Sequence, residues 1–262
     1  MVANNTKRLK GKVTLVTGGS RGIGRAIVER LAAEGVNFIG VHYGTQPLAA
    51  DQVVNRVEEL GAQAVALHAD FRAGGQGVGW ELWGAFSDVA KKHTGHDGVD
   101  ILVNCAGIAP LAPLSATTEA LYDEVLSINL ASTFFLTQAA APHIREGGRI
   151  INFSSALTRI AAPTRPVYAA SKGAINALTL ALAAEFGPHN ITVNAVAPGV
   201  IDTDMNGGWL NEPEARRQAE ELSVFSRVGH ADDVASLVAF LVSPDSRWTT
   251  GQVIDVSRGS RL

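Results

Sequence analysis

A tyrosine and a lysine stand four residues apart, at Tyr168 and Lys172, in an alanine-rich stretch that favours a helix. On a helix, this spacing brings both side chains to one face. A neighbouring ammonium group favours the phenolate, and a phenol whose pKa is ordinarily about 10 becomes a useful proton donor or acceptor only when that pKa falls towards neutrality. The pair predicts acid–base chemistry, and a plain amphipathic helical pair is the alternative interpretation.

Ser155 favours the catalytic interpretation, because it stands thirteen residues before Tyr168 at the end of the apolar run 148–154. Such a run predicts a buried strand with a polar exit. The ends of strands are where α/β proteins place their chemistry. Ser154, on the same strand end, is the alternative candidate.

A glycine-rich turn predicts a second kind of site. The β-branched run 13–17 stops at Gly18, and a helix with one apolar face begins at Ile23 and ends at Gly35. A turn of this kind can hold a pyrophosphate, because backbone N–H groups and the helix dipole point at the anion. The order strand, turn, helix therefore predicts a dinucleotide at residues 18–24.

The same turn also fits a different class of enzyme. Gly18, Ser20 and Gly22 match the nucleophile elbow of the α/β-hydrolases, with Ser20 as the nucleophile. An elbow at the first strand would lack the preceding strands that supply the oxyanion hole. A serine hydrolase would also leave the tyrosine–lysine pair unexplained, so the dinucleotide site is the favoured interpretation.

These candidate residues need an alternation of strands and helices to position them, and the hydrophobic pattern supplies it. Apolar runs predict strands at residues 13–17, 38–41, 64–68, 101–104, 149–153, 191–197 and 252–256. Helical periodicity predicts helices at residues 23–34, 46–60, 118–144, 167–186, 212–222 and 232–241, with a loosened helix entry in the glycine- and tryptophan-containing stretch 71–93. The alternation predicts a single α/β domain over residues 1–262, with a doubly wound parallel sheet of about seven strands and helices on both faces.

Composition narrows the class of partner. The chain has 262 residues, 46% of them hydrophobic and 18% charged, and a formal net charge of -3 spread along its length. Scattered charge favours neither nucleic acid nor a membrane surface, so a small molecule is the expected partner. The N-terminus is polar and the apolar runs are expected to be too short to span a bilayer, which predicts a cytoplasmic protein. No metal is expected, and Cys105 is expected to be buried and inert.

The motifs together resemble the short-chain dehydrogenases/reductases, and the ketoacyl-carrier-protein-reductase-like members are the most similar. The resemblance covers nearly the whole chain and rests on Thr17-Gly18-x-x-x-Gly22-x-Gly24, Asn104-x-Ala106-Gly107, Ser155 with Tyr168-x-x-x-Lys172, and Pro198-Gly199. It implies a Rossmann-type sheet, a nicotinamide cofactor and hydride transfer between an alcohol and a carbonyl. We therefore expect an NAD(P)-dependent carbonyl reductase or alcohol dehydrogenase, with a non-catalytic dinucleotide sensor on the same fold as the alternative.

The resemblance implies a role for each catalytic candidate. Tyr168 would be the acid–base group, and Lys172 would lower the pKa of Tyr168 and hold the ribose hydroxyls. Ser155, which the thirteen-residue interval selects over Ser154, would hydrogen-bond the carbonyl oxygen. Asn129 would hold a water for proton relay, and an ordinary buried amide bonded to backbone is its alternative.

Cofactor contacts are expected along the glycine turn and the following strand ends. Asp70 resembles the family's adenine-contacting aspartate, with a helix cap as the alternative interpretation. The loop 198–205 resembles the segment that covers the nicotinamide. The full expected set is Gly18, Ser20, Arg21, Gly22, Ile23, Gly24, His42, Tyr43, Asp70, Phe71, Asn104, Ala106, Gly107, Tyr168, Lys172, Pro198, Gly199, Ile201 and Thr203.

NADP(H) is expected to be preferred, and NAD(H) is possible. In dinucleotide folds an acidic residue roughly twenty positions beyond the glycine turn binds the ribose 2′-hydroxyl and repels a 2′-phosphate. Residues 41–45 contain no acid and offer His42 and Tyr43 as donors. Arg21 stands where NADP-using family members are often basic, and arginine suits a phosphate. A solvated Arg21 with tolerance of both cofactors is the alternative.

Residues 202–225 have the composition of a substrate cover. The glycine pair Gly207-Gly208 is followed by Trp209, Leu210 and Phe225, which is typical of a closing lid, with an ordinary surface helix and loop as the alternative. Together with residues 163–166, this segment is expected to form an apolar pocket for a small or medium ketone. The family resemblance also implies a homotetramer.

Overall fold

The computed structural model describes residues 7–261, and its strands form one parallel sheet. The strands of the described part are β1 (Val13–Thr17), β2 (Phe38–Tyr43), β3 (Gln63–His68), β4 (Val99–Asn104), β5 (Ile144–Phe153), β6 (Thr192–Pro198) and β7 (Val253–Val256). Their order across the sheet is β3-β2-β1-β4-β5-β6-β7, and each neighbouring pair is parallel. The predicted fold class, a doubly wound Rossmann-type sheet of about seven strands, is confirmed.

Helices cover both faces of this sheet. They are α1 (Gly22–Ala33), α2 (Pro47–Glu59), α3 (Gly75–Thr94), α4 (Glu119–Leu126), α5 (Ser132–Ala140), α6 (Pro166–Phe186), α7 (Asp204–Leu210), α8 (Pro213–Glu221) and α9 (Ala231–Val242). One core packs α1, α2 and α9 against one face, and a second core packs α3, α5 and α6 against the other. The strands are therefore buried on both sides, which explains why they read as continuous apolar runs.

Strand β1 shows how the sequence builds this double cover and opens a site. All of its residues are buried, and neighbouring side chains point to opposite faces, so Leu15 and Val16 enter different cores. β1 pairs with β2 on one side and with β4 on the other. The strands that follow β1 first extend the sheet on one side, to β3, and then on the other side, from β4 onwards. Parallel sheets hold ligands at the carboxyl ends of the strands beside such a switch point.

Helix α3 is regular over residues 75–94, so the predicted loosened entry is wrong for that stretch. Gly79, Trp83 and Phe86 recur at helical spacing and are buried on the face towards α5. A Cβ atom on Gly79 would lie 2.8 Å from the backbone nitrogen of Leu136, so this glycine permits a close helix contact. Gly79 therefore serves the packing of α3 against α5, a contact between distant parts of the sequence that the low helix propensity of glycine does not reveal.

The long helix predicted at 118–144 is divided. A π-helical turn, Ser127–Ala131, joins α4 to α5, a 3₁₀ turn covers Ala141–His143, and β5 begins at Ile144. Asn129 lies in the middle of the π-helical turn. Such turns occur often at functional sites, so this irregularity directs attention to the side chain it carries.

Helix α6 and the turn after it, Pro166–His189, are long and apolar enough to cross a membrane by length and composition. The expectation that every apolar run is too short to span a bilayer is therefore wrong. Within residues 7–261 this is the single helix of that kind, which is weak support for a membrane span. α6 packs along β6 and buries Ser171 and Lys172.

Candidate active site

A cavity of about 460 Å³ opens at the carboxyl ends of the strands. This volume lies in the range of pockets that bind cofactors and small molecules. The predicted site residues that line it are Gly18, Ser20, Arg21, Gly22, Ile23, Gly24, His42, Asp70, Phe71, Ala106, Gly107, Ser155, Tyr168, Lys172, Pro198, Gly199, Ile201 and Thr203. The parallel sheet thus brings residues from distant parts of the sequence to one surface.

Tyr43 and Asn104 are not among the described residues that line the cavity, so their contact with the cofactor stays a prediction. Side chains alternate along β2, and Tyr43 packs instead against His68, with ring centroids 5.4 Å apart. Asn104 is buried, and its Nδ2 donates to Oδ1 of Asn152 at 2.9 Å. Tyr43 therefore packs at the strand end, and Asn104 ties β4 to β5.

Asn129 also lies outside the cavity lining, and its side chain is the buried amide of the alternative interpretation. Oδ1 accepts a hydrogen bond from the backbone N–H of Ile108 at 2.8 Å, and Nδ2 donates to the Ile108 carbonyl at 2.9 Å and to Ser171 Oγ at 3.1 Å. Both N–H groups of the amide are used, so the predicted water has no free donor on this side chain. Asn129 fixes the loop after β4 beside α6.

The glycine turn has the shape of a phosphate cradle. Gly18 and Gly22 have φ angles of 65° and 53°, which glycine adopts without strain. A Cβ atom on Gly24 would lie 2.1 Å from the carbonyl oxygen of Gly18, so turn and helix pack too closely for any other residue. The side chain of Arg21, the N-cap residue of α1, makes no capping hydrogen bond, which leaves the N–H groups of the first turn available to an anion. These residues fit the pyrophosphate of a nicotinamide dinucleotide.

His42 lines the cavity but offers no free donor. Its Nδ1 accepts a hydrogen bond from the backbone N–H of Gly18 at 3.0 Å, and its Nε2 donates to the Ala69 carbonyl at 3.0 Å. Burial lowers the pKa of His42 to about 4, so the ring is neutral near pH 7. The predicted imidazole donor to a 2′-phosphate is therefore wrong, and His42 instead positions the glycine turn.

Ser20 lies in the cavity wall without a partner that could activate it. A serine nucleophile needs a base within hydrogen-bond reach. His42 is the histidine among the described lining residues, and both of its ring nitrogens are engaged elsewhere. Among the described lining residues, the hydrolase alternative therefore has no histidine available as its catalytic base.

Asp70 is a helix cap as well as a cavity residue. Its carboxylate accepts from the backbone N–H of Arg72 at 3.0 Å, at the start of the 3₁₀ turn Phe71–Ala73, and pairs with the Arg72 guanidinium at 2.7 Å. The hydrogen bonds from Arg72 lower the pKa of Asp70 to about 2, so this carboxylate is ionised. The helix-cap interpretation of Asp70 therefore agrees with its contacts in the protein. Asp70 also lines the cavity, so a contact with the adenine stays a prediction.

Ser154 and Ser155 face different partners. Ser154 Oγ bonds to Oδ1 of Asn176 on α6 at 2.5 Å. Ser155 Oγ accepts from the backbone N–H of Leu157 at 3.2 Å, and the Ser155 side chain lies near enough to the phenol of Tyr168 to lower the pKa of that phenol. The structure therefore brings Ser155, and not Ser154, to the tyrosine.

Tyr168 and Lys172 share one face of α6, as their spacing predicts. Lys172 Nζ lies 5.8 Å from the centroid of the Tyr168 ring and donates to the Phe153 carbonyl at 2.7 Å. Burial lowers the pKa of Lys172 to about 8. Burial raises the pKa of Tyr168, and the nearby side chain of Ser155 and the charge of Arg165 oppose that rise. The protein alone thus holds the phenol in its neutral, proton-donating form.

The predicted lid forms two short helices, α7 and α8, and the glycine pair Gly207-Gly208 lies within α7. Cavity residues from this part of the chain are Thr203, Asp204, Met205, Asn206, Trp209 and Leu222. Leu210 instead packs in a small core with Ala219 and Val228, and Phe225 is exposed. The segment covers the site, but the predicted roles of Leu210 and Phe225 in the pocket are wrong.

Several cavity residues were not predicted from the sequence. Leu157 and Ile160 follow Ser155, so their position between the Ser155 and Tyr168 motifs was the available signal. Arg165 is the one residue of the predicted segment 163–166 that lines the cavity. Cys105 lines it too and is only partly buried, and desolvation raises the pKa of its thiol to about 12, in keeping with an inert thiol.

Comparison with known proteins places the chain in a family. A family model described as enoyl-(acyl carrier protein) reductase matches residues 18–261. A probable tetrahydroxynaphthalene reductase of Zymoseptoria tritici is 38% identical over 263 residues, which cover 96% of this chain and 95% of that protein. The chain is therefore similar to reductases over almost its entire length.

Solved structures agree with this placement. The angucycline C-6 ketoreductase LanV with bound NADP superposes with a TM-score of 0.92 at 39% identity, covering 97% of this chain and 96% of that one. The reductase LugOII, which catalyses keto-reduction at C1 during lugdunomycin biosynthesis, has a TM-score of 0.92 and 41% identity, covering 97% of this chain and 100% of that one. The chain belongs to the short-chain dehydrogenase/reductase family and is an NAD(P)-dependent oxidoreductase acting on carbonyl or alcohol groups.

Proposed function

We propose that this enzyme reduces the carbonyl group of a small or medium ketone with NADPH, using Ser155, Tyr168 and Lys172. The observation that carries the proposal is the placement of these three side chains on one wall of the cavity whose other end is the glycine cradle. Two similar structures support the same reaction class: one is a ketoreductase with bound NADP, and the other is a reductase that catalyses a keto-reduction. Incubating the protein with a panel of ketones and each reduced cofactor, and identifying the alcohols formed, tests the proposal.

The nicotinamide, when bound, supplies the hydride. Tyr168 donates the proton to the carbonyl oxygen, and Ser155, whose side chain lies near the phenol, orients that oxygen. The hydroxyl groups of Tyr168 and Ser155 are both in position before the reaction begins, so they stabilise the negative charge that develops on the carbonyl oxygen. Lys172, held by the Phe153 carbonyl, keeps a positive charge beside the phenol as it loses its proton.

Asn129 acts through the loop it holds. Its three hydrogen bonds join Ile108, on the loop after β4, to Ser171, on the turn of α6 next to Lys172. A Cβ atom added to Gly107 would lie 3.2 Å from the Oδ1 of Asn129, so the Asn129 side chain also packs closely against Gly107. We propose that Asn129 is a positioning residue that keeps the cavity wall at Gly107 in register with Lys172.

We propose NADP(H) as the preferred cofactor, with NAD(H) tolerated, because the end of β2 is free of acid and Arg21 lies at the cavity. Residues 42–46 contain no carboxylate, and Gly44, Thr45 and Gln46 line the cavity. The Arg21 side chain is exposed and makes no hydrogen bond to another described residue. A guanidinium in this state can bind a phosphate without first breaking a protein contact.

Replacing Arg21 by alanine is expected to lower kcat/KM with NADPH by roughly ten- to a hundred-fold and to leave NADH almost unchanged. A charge-assisted hydrogen bond is worth about 1.5–3 kcal/mol, and NADH lacks the phosphate that would make it. Arg25→Ala removes a charge from the same helix outside the cavity lining and should change neither value. A wild-type preference for NADH, or equal losses with both cofactors, would contradict the assignment.

We also propose that the chain works as a cytoplasmic homotetramer and that residues 1–262 act as one domain. Two groups of exposed apolar side chains support association: Trp80, Tyr122 and Phe134 on α3, α4 and α5, and Leu180 with Val253 and Trp248 near β7. Exposed apolar patches of this kind mark protein interfaces. Light scattering should give about four times the chain mass of 27.5 kDa, and a monomer would refute the proposal.

A further inference from the structure

Arg165 brings a positive charge to the cavity without a side-chain partner among residues 7–261. It stands at the N-cap of α6, three residues before Tyr168, and lines the cavity. Its Nε is buried with no hydrogen-bond partner, and no described residue forms an ion pair or a side-chain hydrogen bond with its guanidinium. A guanidinium in this position is poorly compensated, because buried charges ordinarily pair.

The other arginines at the cavity are in different states. Arg72 is bound by the carboxylate of Asp70, and Arg21 is exposed at the glycine turn. Arg165 is partly buried, and this burial lowers its pKa, an effect that the nearby Tyr168 opposes. Arginine nevertheless keeps its proton in proteins, so the cavity holds a permanent cation beside the reacting phenol.

The carboxylates of the cavity wall do not neutralise Arg165. Among the described lining residues these are Asp70, Glu124 and Asp204. Asp70 pairs with Arg72, and Glu124 also acts on Arg72 through its charge. Asp204, on the first turn of α7, is exposed and forms no ion pair with Arg165. Among residues 7–261, the carboxylates of the cavity wall thus leave Arg165 without an ion-pair partner.

We propose that Arg165 is a specificity residue that binds an anionic oxygen of the carbonyl substrate, a carboxylate or an ionised phenol or enol. This inference rests on the proposed function and names the substrate class of the same site. Leu157 and Ile160 supply apolar surface in the same wall, so the expected substrate is an apolar ketone with an anionic edge. The cation would hold that edge while Tyr168 and Ser155 engage the carbonyl oxygen.

Matched pairs of ketones test this proposal. One pair is 3-acetylbenzoate and 3-acetylbenzamide, and the other is 4-hydroxy-3-nitroacetophenone, ionised at neutral pH, and its methyl ether. Wild type should have a higher kcat/KM for the anionic member of a pair. In Arg165→Met this value should fall by roughly ten- to a hundred-fold, while the neutral member changes less than about three-fold. Loss in one pair alone would identify the carboxylate or the phenolate as the group bound.

Two further variants separate a local from a general charge effect. Arg165→Lys keeps the charge but not the planar fork, and it should retain part of the preference for the anionic ketone. Arg247→Met removes the charge of an exposed arginine outside the cavity lining and should retain all of it. Equal losses for anionic and neutral ketones in Arg165→Met would overturn the proposal, because that pattern indicates an effect on Tyr168.

A binding measurement keeps the inference testable apart from catalysis. Benzoate should raise the Tm of the NADP⁺ complex of wild type more than benzamide does, and Arg165→Met should abolish the difference. If neutral ketones are reduced but wild type shows no preference for the anionic member of either pair, the Arg165 proposal fails and the proposed function stands. If no ketone is reduced, the proposed function fails, and the benzoate result alone decides whether Arg165 binds anions.

Discussion

Tyr168→Phe is expected to reduce ketone turnover with NADPH by at least about a hundred-fold, since a positioned proton donor typically contributes about 10²–10⁴-fold. The substitution removes only the phenolic hydroxyl near Ser155, and it keeps the ring beside Lys172. NADPH binding, measured by fluorescence titration, should therefore stay within a few-fold of wild type. Loss of turnover without loss of binding would identify the hydroxyl as the acid.

Tyr122→Phe is the matched control for this variant. Tyr122 is exposed on α4 and does not line the cavity, so the same loss of a hydroxyl there should leave turnover unchanged. Turnover near the wild-type rate in Tyr168→Phe would remove Tyr168 from the mechanism. It would also return the tyrosine and lysine to the status of an ordinary helical pair.

Lys172→Met is expected to lose both turnover and cofactor affinity, each by at least about ten-fold. One ammonium group faces the Tyr168 ring and lies in the cavity wall, so a single substitution removes charge from the proton donor and from the cofactor site. Steady-state kinetics and NADPH titration measure the two losses separately. Lys92→Met, on the exposed side of α3, should change neither. A change in stability alone would favour the helical-pair interpretation.

Lys172→Met is also expected to change how the free energy of unfolding depends on pH. The pKa of Lys172 is about 8 in the folded protein and about 10.5 as its ordinary value, because burial disfavours the ammonium. The unfolded chain therefore binds more protons between these values, and the contribution of Lys172 to the free energy of unfolding rises as pH increases from 8 to 10.5. The wild-type protein without cofactor should gain stability relative to Lys172→Met across that window in urea unfolding.

The strands and the polar groups at their ends could be predicted because each has a local cause. Apolar runs predicted β1 and β5, and strand ends in a parallel sheet meet at one edge, so the meeting of Gly18 with Ser155 followed from pattern alone. The four-residue spacing of Tyr168 and Lys172 gave their shared face because a helix has a fixed period. These predictions needed no knowledge of distant contacts.

The errors arose where a distant partner decides the outcome. His42 looks like a free donor in the sequence, but Gly18 and Ala69, far from it in the chain, take both of its ring nitrogens. Asn129 looks like a water ligand, but the Ile108 backbone occupies its amide. Arg165 lies in a segment that was predicted to line an apolar pocket, but the sequence did not show that its guanidinium has no partner among the described residues, because only three-dimensional placement shows this.

The central claim is that ketone reduction by hydride transfer takes place at this cavity, and a labelled cofactor tests it most directly. NADPH carrying deuterium on the transferring face of the nicotinamide C4 is incubated with wild type and a ketone that it reduces. The account predicts that wild type forms an alcohol with deuterium on the carbinol carbon and with one enantiomer in excess. Tyr168→Phe should form almost no labelled alcohol. NADPH oxidation without labelled alcohol, or equal labelled product from Tyr168→Phe, would contradict it.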